Sequence, residues 1–312
     1  FLFEIDQSRL LPEYLDIITK TNIIQSQINA QGSTNYSSIR PQAVLNIEIP
    51  IISISDQYKF VEYFTNTSKS LDKINNESKN QILYMKHLRQ CILNDAVQGK
   101  LVPQDPNDEP ASELLKKIKA EKEKLIKEGK IKKEKPLPPI TENEIPYELP
   151  KGWSWCRLGE NISKMIGGGT PSKSNPEYWN GDIPWASVKD LKVKYLINTI
   201  DKITNKSINE STTNLIKKGN VIICTRMGLG KITLNEIDVA INQDLKAIFL
   251  PQSIDREFFY ILYKSLDIRG SGMTVAGIRQ DKLLNFLIPI VPFNEQKQIV
   301  EKVDKLMKLC DK

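Results

Sequence analysis

The chain has 312 residues, of which 40% are hydrophobic and 26% charged, with a formal net charge of +6. This length allows two domains. No apolar run approaches the roughly 20 residues that cross a bilayer, and the first residues include acidic ones, whereas a signal peptide begins with basic residues. These two observations predict a cytoplasmic protein. Four dispersed cysteines without a CxxC pair and one histidine, His87, argue against structural zinc, a disulfide framework and a histidine-based triad.

The first 53 residues have the pattern of the end of an α/β domain. A helix is predicted over residues 12–29, followed by a polar loop at 29–38 and a strand at 45–54. From residue 56 to 98, apolar residues recur every seven positions, which predicts one long helix that Gly99 terminates.

The apolar residues that recur along this long helix form a stripe on one face, its seam, which is expected to require an apolar partner. At about 1.5 Å per residue the helix would span roughly 64 Å, more than a compact domain needs. We expect residues 294–312, which begin a similar helix, to pack antiparallel on the seam. The seam residues are Leu71, Ile74, Met85, Leu88 and Ile92.

The basic charge is concentrated after this helix. Residues 116–135 hold ten lysines and four glutamates, which accounts for the whole net charge. A second helix is predicted here, with Asp108 as its N-cap and Gly129 at its end. The lysine run is compatible with a solvated helix and linker, or with a surface that lies beside nucleic acid phosphates.

The remainder of the chain predicts a second domain. A Pro-rich linker ends near residue 149. From 150 to 292, short strands alternate with polar loops and one helix, which indicates a mixed α/β (α+β) fold. The predicted strands include DIPWAS, NVIICTR, DVAINQ and LKAIFL.

The sequence contains one long internal repeat. Residues 39–64 and 278–303 align without a gap at an offset of 239 and share ten identities in 26 positions. A weaker repeat relates Glu13–Lys20 to Glu257–Lys264 at an offset of 244. This period is that of a domain plus a connector, so we expect two copies of a unit made of a domain and a long helix.

Two short motifs resemble enzyme signatures but lack required residues. In GLGKIT, a P-loop would need glycine where Thr225 stands and Ser or Thr where Ile232 stands. IGGGT and NPEY resemble parts of an adenine methyltransferase, but Glu177 replaces a proline and no doubly wound sheet fits between the two motifs. We therefore predict no catalytic residue, no cofactor and no metal site.

Two polar, glycine-rich loops, at 166–192 and 224–230, are the predicted binding surface, although they are also compatible with ordinary surface loops. Hydroxyl groups and backbone N–H groups suit phosphates, and Lys and Arg suit phosphates or guanine edges. The predicted DNA-binding residues are Thr170, Ser172, Lys173, Ser187, Lys189, Arg226 and Arg279.

Four long motifs carry a family resemblance. They are AVQGKLVPQDPNDEPASELLKKIKAEKEKLIKEGKIKKEKPLPPI, ELPKGWSWCRLGE, GGGTPS with the later YWNGDIPWASVKDL, and IPIVPFNEQKQIVEKVDKL. Together they resemble the specificity (S) subunit of type I restriction-modification systems. The resemblance implies two target-recognition domains joined by long antiparallel coiled-coil-like helices, each domain reading half of a split double-stranded DNA sequence.

The resemblance also implies partners. The helices would set the spacing of the two half-sites and dock methyltransferase (modification) subunits and a restriction/translocase subunit, and the chain would have no catalysis of its own. Relative to the family pattern, the first domain lacks its N-terminal part. The expected organisation is a remnant of the first target-recognition domain at 1–53, spacer and second helix at 54–128, linker at 129–149, second target-recognition domain at 150–292 and the start of a distal helix at 293–312.

Two alternatives remain. One is a coiled-coil adaptor that reads no DNA, and the other is a stand-alone adenine methyltransferase built on IGGGT and NPEY. Defined footprints on DNA would exclude the first, and the absence of methyl transfer by the chain alone would exclude the second.

Overall fold

The computed structural model describes residues 4–28, 41–133, 135–270 and 276–311. The chain divides into two compact units, Phe1–Tyr84 and Met85–Lys312. None of the described helices is long and apolar enough to cross a membrane. Within the same residues, no cluster of His, Cys, Asp and Glu side chains could hold a metal ion.

In the described chain, five α-helices precede the first strand, and runs of short strands with four further α-helices follow. The described helices are α1 (Pro12–Thr19), α2 (Asn22–Gln25), α3 (Pro41–Leu45), α4 (Ile54–Val97), α5 (Ala111–Lys127), α6 (Asn205–Glu210), α7 (Arg256–Ser265), α8 (Gln280–Leu284) and α9 (Phe293–Cys310). The strands are β1 (Ser154–Arg157), β2 (Lys164–Gly167), β3 (Trp179–Ala186), β4 (Tyr195–Leu196), β5 (Asp201–Ile203), β6 (Leu215–Ile216), β7 (Val221–Cys224), β8 (Ile232–Asn235), β9 (Val239–Ile241), β10 (Leu245–Phe249) and β11 (Leu287–Ile290).

The first unit has a small core of its own, formed by Leu11, Tyr14, Ile18 and Ile24. The predicted helix over 12–29 is divided, because α1 ends at Thr19 and α2 covers only Asn22–Gln25. The predicted polar loop at 29–38 lies outside the described residues. The predicted strand at 45–54 is wrong: α3 ends at Leu45, α4 begins at Ile54, and residues 47–53 form neither helix nor strand.

The long helix ends where the sequence predicts. Gly99 has φ +71°, a conformation that L side chains rarely adopt, and the Lys100 N–H donates to the Asp95 carbonyl at 3.0 Å. Gly129 ends α5 in the same way, with φ +70° and a bond of 2.9 Å from the Lys130 N–H to the Leu125 carbonyl. Both ends have the glycine and the six-to-one hydrogen bond of a Schellman motif.

The start of α5 differs from the prediction. The helix begins at Ala111 after Pro110, and Asp108 does not cap it. The Asp108 carboxylate instead accepts a hydrogen bond of 2.8 Å from the Asn294 side chain. The Ala111 N–H donates to the Gly152 carbonyl at 2.8 Å, so a tertiary contact satisfies a donor that a capping side chain would otherwise satisfy.

The second unit contains a domain built around a sheet with two buried faces. Its five strands have the order β2-β10-β7-β8-β4, and a second sheet has the order β5-β3-β9-β6. Along β7, Ile222 and Cys224 face the core against the second sheet, whereas Val221 and Ile223 face the core that α5 and α7 cover. The α+β fold class predicted from the sequence is therefore confirmed.

The end of α4 packs against α9. Ile92, Leu93 and Ala96 share a buried cluster with Ile299 and Val303. Because Arg89 donates to the Cys310 carbonyl at 3.2 Å, and Gln104, which follows α4, donates to Glu295 near the start of α9 at 3.2 Å, the two helices run antiparallel.

The packing extends over less of the seam than the sequence predicts. Helix α9 covers only the last turns of α4, since Leu88 is 47% exposed, Leu71 56% and Ile74 60%. Of the five predicted seam residues, only Ile92 is buried in the described chain.

The internal repeat has a structural counterpart. Helices α3 and α8, and the starts of α4 and α9, coincide at the offset of 239, and α1 and α7 begin at equivalent positions at the offset of 244. The repeat also preserves a buried hydrogen-bond arrangement. The Gln57 side chain accepts from the Leu11 N–H and donates to the carbonyls of Arg9 and Ile52, and Gln296 makes the equivalent bonds with Asp255, Ser253 and Val291.

Candidate nucleic-acid interface

The turn at residues 242–244, which joins β9 to β10, is the centre of the candidate interface. The glycines of IGGGT approach it closely. A Cβ on Gly168 would lie 2.1 Å from the Ile241 carbonyl oxygen, and the Gly169 N–H donates to that same oxygen at 2.9 Å. These glycines therefore serve close packing between β2 and the turn, and their role requires no methyltransferase cofactor.

Arg226 lies beside this turn. It belongs to the loop between β7 and β8, where its backbone bridges to Gly277. Its Nη1 is 3.6 Å from Oδ1 of Asp244, and the Arg226 side chain is 53% exposed whereas the Asp244 side chain is 9% exposed. The Asp244 carboxylate also accepts a 3.3 Å bond from the Asn242 amide. A fixed carboxylate thus holds one end of a guanidinium that is otherwise open to solvent.

Thr170 meets the same turn from the β2 side. Its hydroxyl is hydrogen-bonded to Oε1 of the Gln243 side chain. Since Gln243 is exposed, the contact places a hydroxyl and an amide next to each other on the surface. Thr170, Gln243 and Arg226 therefore belong to one surface, although they come from three separate segments.

The turn at 187–190 borders this surface, but Ser187 does not contribute its side chain. Ser187 is buried, and both its N–H and its hydroxyl donate to Oδ2 of Asp190, at 2.8 and 3.1 Å. The expectation that its hydroxyl faces a ligand is therefore wrong, because the hydroxyl closes the turn. Lys189 is exposed on the outside of the same turn.

Ser172, Lys173 and Arg279 are all exposed. The Ser172 hydroxyl is hydrogen-bonded to Ser174 at 2.8 Å. Arg279 follows Ile278, whose N–H donates to the Thr225 carbonyl at 2.9 Å, so its backbone is adjacent to the Arg226 loop. Its guanidinium makes two hydrogen bonds with Asp281, at 2.6 and 3.1 Å.

The two enzyme-like motifs are turns. GLGKIT forms a hairpin into β8, with Gly230 at φ +79°, and no helix follows it as in a P-loop. In NPEY, the Asn175 side chain accepts from the Glu177 N–H at 3.1 Å and caps a short 3-10 turn.

Burial raises the pKa of Cys224, and its Sγ is hydrogen-bonded to the Arg226 carbonyl at 2.7 Å, so this thiol has a structural role.

Sequence reasoning missed Gln243, Asp244 and Met227. Met227 has φ 59° and is 65% exposed beside Arg226. The letters NQD, which overlap the end of the predicted strand DVAINQ and precede LKAIFL, were the available signal, because Asn and Asp favour tight turns. That signal identifies a turn, but it does not show that Thr170 and Arg226 meet there.

The fold and this surface define a domain that presents strand-end loops and is packed on long helices. The chain belongs to the family described as "Type I restriction modification DNA specificity domain", which matches residues 150–312. Two similar proteins from Escherichia coli are the specificity subunits of the type I restriction enzymes EcoAI and EcoEI. They are 34% identical over 243 residues and 36% over 247 residues, in each case covering 72% of this chain and 40% of the relative.

The chain therefore spans about 40% of the length of these relatives. A chain from a solved structure concerned with complex assembly and conformational transition of the type I R-M system is 20% identical. Its TM-score is 0.61, and the match covers 97% of this chain and 65% of that one. This likeness shows a shared fold.

Proposed function

We propose that the chain is a DNA-recognition component of a type I restriction-modification complex, without catalysis of its own, and that it acts in the cytoplasm. The observation that carries the proposal is the surface formed by Thr170, Gln243 and Arg226, which brings a hydroxyl, an amide and a guanidinium to one turn at residues 242–244. These groups suit base edges and phosphates. Membership of the specificity-domain family supports the same conclusion.

In this proposal, residues 150–292 read one half of a split double-stranded site, and residues 1–53 belong to the reader of the other half. Helix α4 acts as a spacer and as a docking surface for methyltransferase and restriction/translocase subunits. Its exposed apolar side chains, including Leu71 and Ile74, suit such docking. Residues shared by both repeats, such as Gln57 and Gln296, hold the fold and do not distinguish half-sites.

The proposal is tested by selecting bound duplexes from a random pool with the complex reconstituted from this chain and its methyltransferase partner. We expect Arg226→Ala to lose preference at one base position, because a bidentate Arg–guanine contact discriminates by roughly 1–3 kcal/mol. Arg279→Ala, at an arginine that Asp281 already engages, should weaken all sequences alike. Recovery of no defined sequence would favour the adaptor alternative, and full base preference in folded Arg226→Ala would place the reader elsewhere.

A further inference from the structure

The second unit contains a cleft with a basic rim on the side of α5. Its volume is about 870 Å³, and its walls are one face of α5 from Leu115 onward, the connector residues 129–133 and 135–137, and residues 159–165. Two glutamates, Glu123 and Glu160, line it. The lysines that line it are Lys116, Lys119, Lys122, Lys130, Lys132, Lys133, Lys135 and Lys164.

Several of these lysines already have partners. Lys116 pairs with Glu113 and Lys130 with Glu128, each at 2.7 Å, and Lys122 donates to the Gly159 carbonyl at 2.9 Å. For four others, no carboxylate within the described ranges lies within ion-pair distance. These are Lys119, Lys132, Lys133 and Lys135. The rim therefore retains positive charge that the described chain does not neutralise.

The floor of the cleft is apolar. Leu115, Leu137 and Met165 are partly buried against the domain core, and Ile126 and Ile131 continue the lining. The α5 wall is held in place because Leu114 and Ile118, on its other face, are buried in that core. An apolar floor beneath a cationic rim is suited to a ligand with both apolar and anionic groups.

The position of the cleft argues against DNA as its occupant. Lys164 pairs with Phe249 at one end of β2 and β10, whereas the turn at 242–244 and Gly168 lie at the other end. At about 3.3 Å per residue, Lys164 and Thr170 are separated by up to roughly 20 Å of chain. In addition, a sugar–phosphate backbone presents only small sugar C–H surfaces between its phosphates, whereas an amphipathic peptide presents large apolar side chains that can cover the floor.

We propose that this lysine-rimmed cleft binds an acidic, amphipathic segment of a partner protein. Its leucine-like side chains cover Leu115, Leu137 and Met165, and its carboxylates pair with Lys119, Lys132, Lys133 and Lys135. The proposal goes beyond the DNA-recognition function, uses none of the residues of the candidate interface, and does not depend on that function.

The test measures binding of a fluorescent amphipathic helical peptide of Glu and Leu to the full chain by anisotropy. Two control peptides replace either every Glu by Gln or every Leu by Ser. We expect the Glu/Leu peptide to bind at least about tenfold more tightly than either control, because both the rim and the floor contribute. Equal binding of the Glu/Ser peptide would reduce the site to nonspecific charge and overturn the proposal.

Matched variants locate the binding. Lys119→Glu with Lys133→Glu should weaken the peptide at least about tenfold, whereas Lys302→Glu with Lys308→Glu, two exposed α9 lysines with the same charge change, should not. Leu115→Gln should weaken it, but Leu309→Gln, at a side chain 64% exposed, should not. Thermal unfolding midpoints verify that each variant is folded, and equal effects of the test and control pairs would overturn the proposal.

The DNA alternative has its own outcome. If a selected duplex displaces the peptide, and the Lys119→Glu, Lys133→Glu chain loses affinity for the duplex, the cleft binds phosphates and the proposal is wrong. If the duplex and the peptide bind together, the proposal is supported. Failure of DNA recognition itself would appear separately, as recovery of no defined sequence from the random pool.

Discussion

Arg157 connects the Pro-rich linker to the second domain. Its side chain is 6% exposed, and its guanidinium donates to the carbonyls of Pro138, Pro139 and Asn285 and to the Glu144 carboxylate. A buried guanidinium requires this many acceptors, because an unpaired buried charge is strongly destabilising. The linker is therefore ordered where it meets the domain, although its sequence alone predicts an extended chain.

Glu144→Gln should make the chain less acid-sensitive. The hydrogen bond from Arg157, with those from Thr141, lowers the pKa of Glu144 from 4.5 to about 2. Because the folded-state pKa is the lower one, the stabilisation is present above pH 4.5 and is lost as the pH falls towards about 2. The variant should have a lower unfolding midpoint at neutral pH, and the difference from wild type should close near pH 2.

Thermal unfolding across this pH range measures the effect. Glu142→Gln, at an exposed neighbour, is the control and should behave like wild type. A difference for Glu144→Gln that persists at the lowest pH, or an equal response of both variants, would contradict the proposed role of Arg157.

At the scale of elements, each repeat buries one glutamine where its long helix begins. Gln57 and Gln296 are both 0% exposed, and each joins its helix to the N-terminal end of a shorter helix, α1 or α7. Backbone groups at helix starts have no partners within the helix. The glutamine supplies an acceptor to one such N–H in both units.

Gln296→Leu should destabilise the second unit by roughly 1–3 kcal/mol, because it leaves the Asp255 N–H and buried carbonyls without partners. Gln57→Leu should loosen only the first unit. Hydrogen exchange compared between residues 12–19 and 256–265 separates the two effects. Gln298→Leu, at an exposed position of α9, is the control, and an effect of equal size there would exclude the hydrogen-bond explanation.

The contact between α4 and α9 predicts two different substitution costs on the same helix face. Ile92 is 7% exposed within the shared cluster, whereas Leu88, one turn earlier, is 47% exposed. Ile92→Ala should therefore cost about 2–5 kcal/mol, and Leu88→Ala should cost much less. Urea unfolding of both variants tests this, and equal costs would mean that the antiparallel contact extends further along α4.

At the scale of the whole molecule, the two units differ in how much of α4 they bury. Within the first unit, every residue from 69 to 84 is exposed, whereas the turns that follow contain Ile92, Leu93 and Ala96 in a core. Most helical stability in proteins comes from tertiary packing. Helix α4 therefore contains one segment without tertiary packing, followed by a second segment that is packed against a domain.

Amide hydrogen exchange should show this division within α4. Backbone amides of residues 69–84 should exchange faster than those of 89–97, because only the latter are protected by packing in addition to helical hydrogen bonds. The two segments of one helix control for each other. Equal protection in both would indicate that the exposed segment is covered in solution.

Much of this architecture is predictable because its causes are local in sequence. The repeat, the long helix and its end at Gly99, and the strands around Val221, Val239 and Leu245 follow from periodicity, a glycine conformation and β-branched runs. The motifs of the specificity-domain family are likewise continuous segments. Arg226 was recognisable as a candidate because it follows a strand and precedes glycines.

Other features were decided only by the tertiary structure, because they depend on a partner distant in the chain. Residues 48–51 form no strand although their repeat equivalent β11 pairs with β1, since a strand exists only where another segment completes its hydrogen bonds. Ser187 closes a turn, and Asp244 holds Arg226, for the same reason: the polar partner comes from folding. Which residues share the candidate interface is therefore a property of the three-dimensional arrangement of three loops.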